Sequence, residues 1–252
     1  MHSHINFEYP WYLSYGHLLI AAFGLGLCFL IWFLKWPKAL LVPSGALSLW
    51  AVSAGSMVLF GFDLNGPMPM PTQNFLAKGE GKVLDMGAGT GRSSIALLEA
   101  RPKTTVVALD LFTESYEEHF GKINGQEKLM ANLRAAGLEN RAAIQVGDMR
   151  KLPFEKDTFD GIISSYAIDH LGRQGSEKAI NEAARVLKPG GEFLMMVIAK
   201  DGWLTYTFGP LLVHARMRAS STWPEMMKAA GLEMVEEGKR PATLYYVARK
   251  HG

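Results

Sequence analysis

Residues 83–92 read VLDMGAGTGR, in which an apolar run leads to Asp85 and glycines follow at positions 87, 89 and 91. Glycine has no Cβ, so the backbone can turn sharply at these positions and approach a ligand closely. A helical pattern follows from Arg92 to Ala100, and its N-terminal amides would face the same ligand. The G-x-G-x-G spacing differs from the G-x-G-x-x-G of dinucleotide-binding domains, which disfavours a nicotinamide-dependent oxidoreductase. The stretch predicts a strand, a ligand-binding loop and a helix.

On the C-terminal side of this stretch, short apolar runs alternate with helical patterns. Such alternation predicts βαβ units and a mostly parallel sheet that is covered on both faces. The last two apolar runs are joined by a Gly-Lys-Arg-Pro turn region rather than a helix, so they should pair antiparallel at one edge. We therefore expect a seven-stranded, Rossmann-like α/β domain over residues 82–252. The predicted strands are 82–86, 105–109, 143–146, 161–164, 192–198, 234–237 and 244–249, and the predicted helices are 92–100, 126–136, 176–187 and 224–230.

A carboxylate stands where the second predicted strand ends. Asp110 follows Gly91 by 19 residues, and a carboxylate at this place in an α/β sheet can accept hydrogen bonds from both hydroxyls of a ribose. Open α/β sheets bind ligands beyond the carboxyl ends of their strands, which is where Asp110 and the glycine loop would meet. The alternative is that Asp110 only caps a loop.

Five segments in this order resemble the class I S-adenosylmethionine-dependent methyltransferases. They are 83–91, Asp110, the Gly-Asp-Met at 147–149, FDGIISSYAIDHL at 159–171 and VLKPGGEFLMM at 186–196. The resemblance covers roughly residues 81–250, and it is most similar to the small-molecule, UbiE-like branch, which includes members with apolar N-terminal helices. It implies that S-adenosylmethionine is the co-substrate and that a methyl group is transferred to a small acceptor.

The resemblance also implies roles for residues at the methionyl end of the donor. The loop of Gly87, Ala88, Gly89 and Gly91 would hold the methionyl part. Asp85 would support the ammonium group, and Ser164 and Ser165, at the end of the fourth strand, would line the same end.

Further residues would hold the adenosine part. By the same resemblance, Asp110 would take the ribose hydroxyls and Asp148 would accept a hydrogen bond from the adenine amino group. Leu111 and Met149 would lie against the two ring faces. Since Asp148 follows Val-Gly at the end of a strand, it remains open whether it is only a turn residue.

Asp169 and His170 follow the fourth strand, beside the expected transfer point, and are the candidate catalytic residues. A histidine there can act as a general base near neutral pH. The alternative is that His170 packs against or caps the region of Gly172.

Two insertions bear on the acceptor. Residues 110–125 (DLFTESYEEHFGKING) carry Phe112, Tyr116 and Phe120, and residues 201–218 (DGWLTYTFGPLLVHARMR) are aromatic and aliphatic and end in two arginines. The second segment is either a core helix or a lid that includes Trp203 and Phe208 and lies over an apolar pocket or the membrane interface. With the apolar N-terminus, it points to a membrane-partitioned acceptor: a quinone-like ring, a lipid amine or a hydrophobic thiol.

Several classes of function are disfavoured. Ser164-Ser165-Tyr166-Ala167 stands where methyltransferases of DNA bases have Asp/Asn-Pro-Pro-Tyr, and Cys28 is the only cysteine. One cysteine excludes an intramolecular disulfide and a cysteine-based zinc site, and it argues against arsenite methylation. A net charge of +2 gives no reason to expect nucleic acid, and no metal is expected. The rival from another class is a non-catalytic membrane protein whose Rossmann domain senses a nucleotide.

The N-terminal 62 residues differ from the rest of the chain. Residues 16–34 (GHLLIAAFGLGLCFLIWFL) and 40–62 (LLVPSGALSLWAVSAGSMVLFGF) contain no Asp, Glu, Lys or Arg, and each approaches the roughly 20 residues that cross a bilayer. Recurrent small residues are typical of packed membrane helices, and Trp11, Tyr12, Trp32 and Trp36 are typical of an interfacial belt. We therefore expect a membrane hairpin over residues 1–62. A signal peptide and buried core helices are the alternatives.

Residues 63–81 are rich in Pro and Gly and are expected to be a linker. A spanning hairpin places the catalytic domain and residues 1–15 on one side, expected to be the cytoplasm. The turn would then carry Lys35 and Lys38 to the other side, against the positive-inside tendency. A hairpin embedded in one leaflet would avoid that conflict, so both arrangements remain open.

Overall fold

A computed structural model describes residues 5–61, 65–66, 68–112, 125–209 and 222–252. The described chain divides into two compact units. The α/β unit contains residues 5–7, 68–112, 125–200 and 222–252, and the helical unit contains residues 8–61, 65–66 and 201–209. Two short segments therefore belong to a different unit from the one expected from the sequence, which placed the boundary between the hairpin and the linker at residue 62. Residues 5–7 join the α/β unit, and residues 201–209 join the helical unit.

The α/β unit is built on a seven-stranded sheet in the order β3-β2-β1-β4-β5-β7-β6. β1 to β5 are parallel, whereas β7 is antiparallel to both of its neighbours, β5 and β6. The predicted mostly parallel sheet with an antiparallel edge is thus confirmed. The strands are β1 (Glu80–Met86), β2 (Lys103–Asp110), β3 (Ala142–Val146), β4 (Phe159–Ser165), β5 (Leu187–Ile198), β6 (Leu232–Arg240) and β7 (Thr243–Lys250).

Helices of the α/β unit pack on this sheet through apolar side chains. Central strands such as β1 are buried over Val83–Met86 because both faces of the sheet are covered. The largest core cluster unites β1, β4, β5 and two helices, with Leu84, Phe159, Ile180 and Met227 among its members. The helices are α3 (Arg92–Ala100), α4 (Gly125–Ala135), α5 (Gly172–Val186) and α7 (Thr222–Ala229), with short 3-10 turns at Glu139–Arg141 and Ile168–Leu171.

The helical unit consists of α1 (Trp11–Phe33), a 3-10 turn at Lys38–Leu40, α2 (Leu41–Gly61) and α6 (Gly202–Phe208). Small residues let α1 and α2 approach closely, since a Cβ on Gly24 would lie 3.0 Å from the Ser44 carbonyl oxygen. The Ser48 hydroxyl donates to the Ala21 carbonyl at 3.3 Å. Trp11–Phe33 and Lys38–Gly61 are long and apolar enough to cross a membrane, as judged from length and composition.

Candidate functional site

The candidate site lies where the strand order reverses. β1 has β2 as its neighbour on one side and β4 on the other, which makes the carboxyl ends of β1 and β4 the topological switch point of the sheet. The chain leaves β1 at Met86 and enters α3 at Arg92. The predicted order of strand, glycine loop and helix is therefore present at the place where open α/β sheets hold ligands.

The glycine loop depends on backbone geometry that other residues adopt only with strain. Gly87 has a φ of 82° and Gly91, which precedes α3, has a φ of 93°. The amide of Gly87 donates to the Leu109 carbonyl at 2.8 Å, which ties the loop to the end of β2. A Cβ on Gly87 would collide with the Ala167 side chain and lie 2.9 Å from Met149 Cε. Gly87 thus lets the loops after β1, β3 and β4 meet.

Asp85 is fully buried at the end of β1. Its Oδ2 accepts hydrogen bonds from the hydroxyls of Ser93 and Ser94, both at 2.6 Å. Its Oδ1 has no hydrogen-bond partner within the part of the chain that the structure describes. Burial raises the pKa of Asp85 to about 6, although the two hydroxyls act in the opposite direction. A buried acceptor without a donor is rare in folded proteins, and it suits a ligand that brings a positive charge or a hydrogen.

Asp110 holds two backbone amides at the end of β2. Oδ2 accepts from the Gly89 amide at 2.9 Å, and Oδ1 accepts from the Phe112 amide at 3.1 Å. Each oxygen of an ionised carboxylate has a second lone pair, so these bonds leave Asp110 able to accept ribose hydroxyls as well. The neighbouring Leu111 is 42% exposed although it is apolar. The pair therefore offers a polar and an apolar contact beside the glycine loop.

Asp148 forms an ion pair with Arg150, with Oδ2 and Nη2 2.7 Å apart. It also accepts from the Arg150 amide at 2.8 Å, which closes the turn after β3. The hydrogen bond from Arg150 lowers the pKa of Asp148. In the structure, Asp148 therefore acts as a turn residue. Its neighbour Met149 lies against the glycine loop at Gly87.

The two serines at the end of β4 have different neighbours. Ser164 is buried, and its hydroxyl donates to the Met86 carbonyl at 2.8 Å. That bond ties β4 to β1 and uses the hydroxyl hydrogen of Ser164. Ser165 Oγ lies 3.6 Å from the sulfur of Met68, a residue of the predicted linker.

The two candidate catalytic residues lie in the 3-10 turn after β4. Oδ2 of Asp169 accepts from the Ile198 amide at 3.2 Å, at the carboxyl end of the neighbouring β5. Oδ1 of Asp169 is buried and has no hydrogen-bond partner among the described residues. His170 has an exposed side chain. Of the two residues, Asp169 therefore has a buried oxygen that is available to accept a hydrogen bond or a proton, whereas His170 faces solvent.

Residues 5–7 also reach this region, which no sequence signal indicated. The Asn6 amide and carbonyl pair with the side chain of Asn132 in α4, at 3.1 and 2.9 Å. Asn132 also donates to the Thr90 carbonyl at 2.9 Å. The Thr90 hydroxyl in turn donates to the Phe7 carbonyl at 3.1 Å. The N-terminal strap, residues 5–7, is thus bonded directly to the glycine loop.

The segment after β5 forms α6, and α6 packs in the helical unit. The Trp50 indole donates to the Tyr206 carbonyl at 3.0 Å, and His17 Nε2 lies 2.8 Å from the Thr207 carbonyl. Because a carbonyl can only accept, His17 carries a hydrogen on Nε2. The His17 ring also makes edge contacts with Trp50 and Phe208. The described part of residues 201–218 packs on the hairpin, which does not decide between a core helix and a lid, and residues 210–218 lie outside the described residues.

Residues 83–191 match a protein family described as a methyltransferase domain. This stretch is therefore similar to a methyltransferase domain. The match contains the glycine loop, Asp110, Asp148 and the turn of Asp169.

Two curated relatives are ubiquinone/menaquinone biosynthesis C-methyltransferases UbiE. The protein from Cereibacter sphaeroides is 35% identical over 115 residues, which are 46% of this chain and 41% of that protein. The one from Paracoccus denitrificans is 32% identical over 155 residues, 58% of this chain and 57% of that protein. The chain thus spans about half the length of the curated relatives it matches.

A solved structure with the same fold is that of a putative sarcosine dimethylglycine methyltransferase from Galdieria sulphuraria. Its TM-score is 0.54 at 18% identity, and the match covers 70% of this chain and 82% of that one. At that identity the similarity shows the fold of the methyltransferase domain. The predicted resemblance to the methyltransferases and the predicted fold class are both confirmed by these comparisons.

Proposed function

We propose that this protein transfers a methyl group from S-adenosylmethionine to a quinone-like ring that partitions into the membrane. The domain type and the two UbiE relatives support the reaction and the acceptor class. The observation that carries the membrane part is the packing of α6, which follows a strand of the site, against an apolar hairpin. A lipid amine and a hydrophobic thiol are the other acceptors that the sequence leaves open.

The residues at the switch point fit the donor. Asp85 offers a buried, unpaired Oδ1, which suits the ammonium of the methionyl group. Gly87 permits close approach of a ligand to the backbone, because a side chain there has no room. Asp110 retains acceptor capacity for two ribose hydroxyls, and Leu111 and Met149 are apolar neighbours for the adenine ring. When bound, S-adenosylmethionine supplies an electrophilic methyl group on a sulfonium, which leaves as a neutral thioether.

The protein's part in the transfer is to position the acceptor and to remove its proton. Methylation of a ring carbon adds CH3 and releases H⁺, so a group near the acceptor must take that proton. Asp169 lies between the carboxyl ends of β4 and β5 through its bond to Ile198, and its Oδ1 is buried and unpaired. His170 has an exposed side chain. We therefore assign proton removal to Asp169 in preference to His170.

The exposure of the hairpin supports a membrane location. Phe60 is 90% exposed, and Leu49 and Val42 are each 73% exposed. Core helices of a soluble protein bury such side chains, and contiguous apolar surfaces of this kind mark contact with lipid or another protein. Among the alternatives considered for residues 16–62, these exposures count against core helices.

α6 is suited to a place within the apolar layer. A helix leaves its last carbonyls without internal donors, and an unpaired backbone group in hydrocarbon costs several kcal/mol. Trp50 and His17 supply donors to the carbonyls of Tyr206 and Thr207. The hairpin thereby supplies hydrogen-bond donors to two carbonyls at the C-terminal end of α6, the helix that follows β5.

The N-terminal strap supports a hairpin whose two ends lie on the same side of the membrane. Asn6 and Phe7 are bonded to the α/β unit, and the chain then enters α1 at Trp11 and leaves α2 at Gly61. Since the donor is cytoplasmic, we propose that the catalytic domain faces the cytoplasm and that the turn at residues 34–40 lies in the opposite leaflet.

The decisive experiment uses full-length protein in detergent, isotopically labelled S-adenosylmethionine and a lipid extract of host membranes. Mass spectrometry should find the label in one apolar species that carries one additional methyl group on a quinone-like ring. If the label is found on a phospholipid amine or on a hydrophobic thiol instead, the acceptor is of that class and not a quinone-like ring. Binding of S-adenosylhomocysteine without any labelled product would instead support the nucleotide-sensing alternative.

A second experiment separates the two candidate bases. Asp169→Asn keeps the size of the side chain and should lower kcat by roughly 10²–10⁴, the usual contribution of a general base. His170→Ala is the matched control and should leave kcat within about twofold. Loss of activity in His170→Ala with normal turnover in Asp169→Asn would reverse the assignment. Affinity for S-adenosylhomocysteine should be the same in both variants.

A further inference from the structure

We propose that the turn between α1 and α2 binds the headgroup of an anionic phospholipid. This proposal rests on the membrane location of the hairpin but not on the reaction of the methyltransferase domain. It concerns the side chains around a cavity of about 570 Å³ at the end of α1, which is lined by Ile31, Trp32, Phe33, Lys35, Trp36, Lys38 and Leu41.

The end of α1 is closed by a defined backbone motif. The Trp36 amide donates to the Ile31 carbonyl at 3.0 Å, and the Lys35 amide donates to the Trp32 carbonyl at 3.4 Å. This pair of bonds is the Schellman motif, which places the residue after the helix in the left-handed region, where glycine is usual. Here that residue is Lys35, with a φ of 55°. A lysine held in a conformation that favours glycine points to a use for its side chain.

The charge of the cavity has one sign. Lys35 and Lys38 are the only Lys, Arg, Asp or Glu residues from position 9 to position 61, and both are exposed. No carboxylate of that segment competes for the two ammonium groups. A phosphodiester at this place would meet two positive charges beside apolar walls, which matches the amphipathic chemistry of a phospholipid.

The aromatic residues indicate at which level of the bilayer the cavity lies. Trp32 and Trp36 both line it, and the Trp32 side chain is 71% exposed. Tryptophan prefers the headgroup level of a bilayer, where its ring is partly apolar and its N–H is hydrated. The lysines therefore lie at the level of the phosphates and the helix ends at the level of the acyl chains.

An anionic lipid would also account for the two lysines on the far side of the membrane. Positive charges are depleted from translocated turns, and the charge sequence of the hairpin runs against that tendency. A bound phosphate compensates the charge locally. A fully spanning hairpin can therefore carry Lys35 and Lys38 on the far side of the membrane when a lipid phosphate is bound there.

The test measures lipid retention by the full-length protein. Native mass spectrometry is performed after exchange from detergent into nanodiscs of phosphatidylcholine alone or mixed with phosphatidylglycerol. The wild type should retain phosphatidylglycerol in preference to phosphatidylcholine. Lys35→Gly/Lys38→Gln should weaken that preference about 30-fold, from roughly fivefold for each lysine near an anionic surface. Glycine at position 35 keeps the left-handed turn, so the variant changes charge without disturbing the backbone.

Two controls make the outcomes distinct. Lys103→Gln/Lys228→Gln removes the same charge from exposed positions of the α/β unit and should retain the preference. Lys35→Arg/Lys38→Arg should restore it. If the Gly/Gln variant retains phosphatidylglycerol as the wild type does, or if the wild type has no preference, the lipid site is refuted. Failure of the wild type to enter any nanodisc would instead refute the membrane hairpin.

Discussion

Replacement of Asp85 by Asn should make the protein more stable and bind its donor less well. The carboxylate is buried, and its pKa rises from 3.8 to about 6. Because one pKa unit corresponds to about 1.4 kcal/mol, the ionised form costs the folded protein about 3 kcal/mol at pH 7.5. Asn removes this charge, and its Oδ1 can still accept from the hydroxyls of Ser93 and Ser94.

The net gain is smaller than that cost. The new amide nitrogen would take the place of Oδ1, which has no partner in the described chain, and an unpaired buried donor costs about 1–3 kcal/mol. We therefore expect a gain of about 1 kcal/mol, which is a rise in Tm of about 2–4 °C for a protein of this size. Differential scanning fluorimetry in detergent at pH 7.5 measures it.

The dependence on pH identifies the group. An acid whose pKa is raised on folding binds protons more tightly in the folded state, so its contribution to stability falls as pH rises from about 4 to about 6. The Tm of Asp85→Asn should therefore exceed that of the wild type above pH 6, and the order should reverse near pH 4, where the cost of the unpaired amide remains and the cost of the charge has disappeared.

Donor affinity should change in the opposite direction. If Asp85 pairs with the ammonium of S-adenosylhomocysteine, Asn removes a charge-assisted hydrogen bond of about 1.5–3 kcal/mol, a loss of about 10- to 150-fold in affinity. Below pH 6 the wild type should lose affinity about tenfold per pH unit, and the variant should not. Isothermal titration calorimetry across pH 4.5–8 follows both. Equal affinity at pH 7.5 together with the same pH profile would refute the role of Asp85.

Three further changes test the site. Asp110→Ala should weaken S-adenosylhomocysteine binding by about 1.5–3 kcal/mol in calorimetry, and unchanged affinity would remove this residue from the ribose site. Gly87→Ala, at a φ of 82° and against Ala167, should lower the free energy of unfolding by at least about 1–2 kcal/mol and impair donor binding; a normal Tm would argue against the close approach. Asn132→Ala should destabilise the protein by about 1–3 kcal/mol and expose the N-terminal strap to limited proteolysis, and an intact strap in that assay would contradict its bonding to Asn132.

Local patterns were sufficient to predict the sheet. The period of the apolar runs and the glycine spacing after Asp85 predict β1, the loop and α3 because those elements depend on nearby residues. The sequence also predicts α1 and α2, although α1 begins at Trp11 rather than at Gly16. The aromatic residues before the uncharged stretch thus lie within the helix, since no proline or glycine between Trp11 and Gly16 interrupts it.

Long-range partners were beyond the reach of the sequence. Asn6 and Asn132 are ordinary polar residues until the fold brings them together, and no spacing connects them. His17 and Trp50 were read only as part of an apolar stretch, whereas they bind carbonyls of α6. The sequence favours His170 as a base because imidazole is the side chain that changes charge near neutral pH, whereas the burial that distinguishes the unpaired Oδ1 of Asp169 from the exposed His170 follows only from the fold. Tyr116 and Phe120 of the first insertion lie outside the described residues.

The strap has a consequence for the order in which the protein is made. Asn6 pairs with a residue that follows it by 126 positions, so both apolar helices, α1 and α2, are synthesised before Asn132. The bonds of the nascent amino terminus to Asn132 can form only after β1, α3 and β2 have been synthesised. Closing so long a loop has an entropic cost that grows only slowly with its length. The hydrogen bonds of the strap offset this cost once Asn132 is in place. The contacts of the glycine loop are thereby complete only when the amino terminus has remained accessible to the α/β unit.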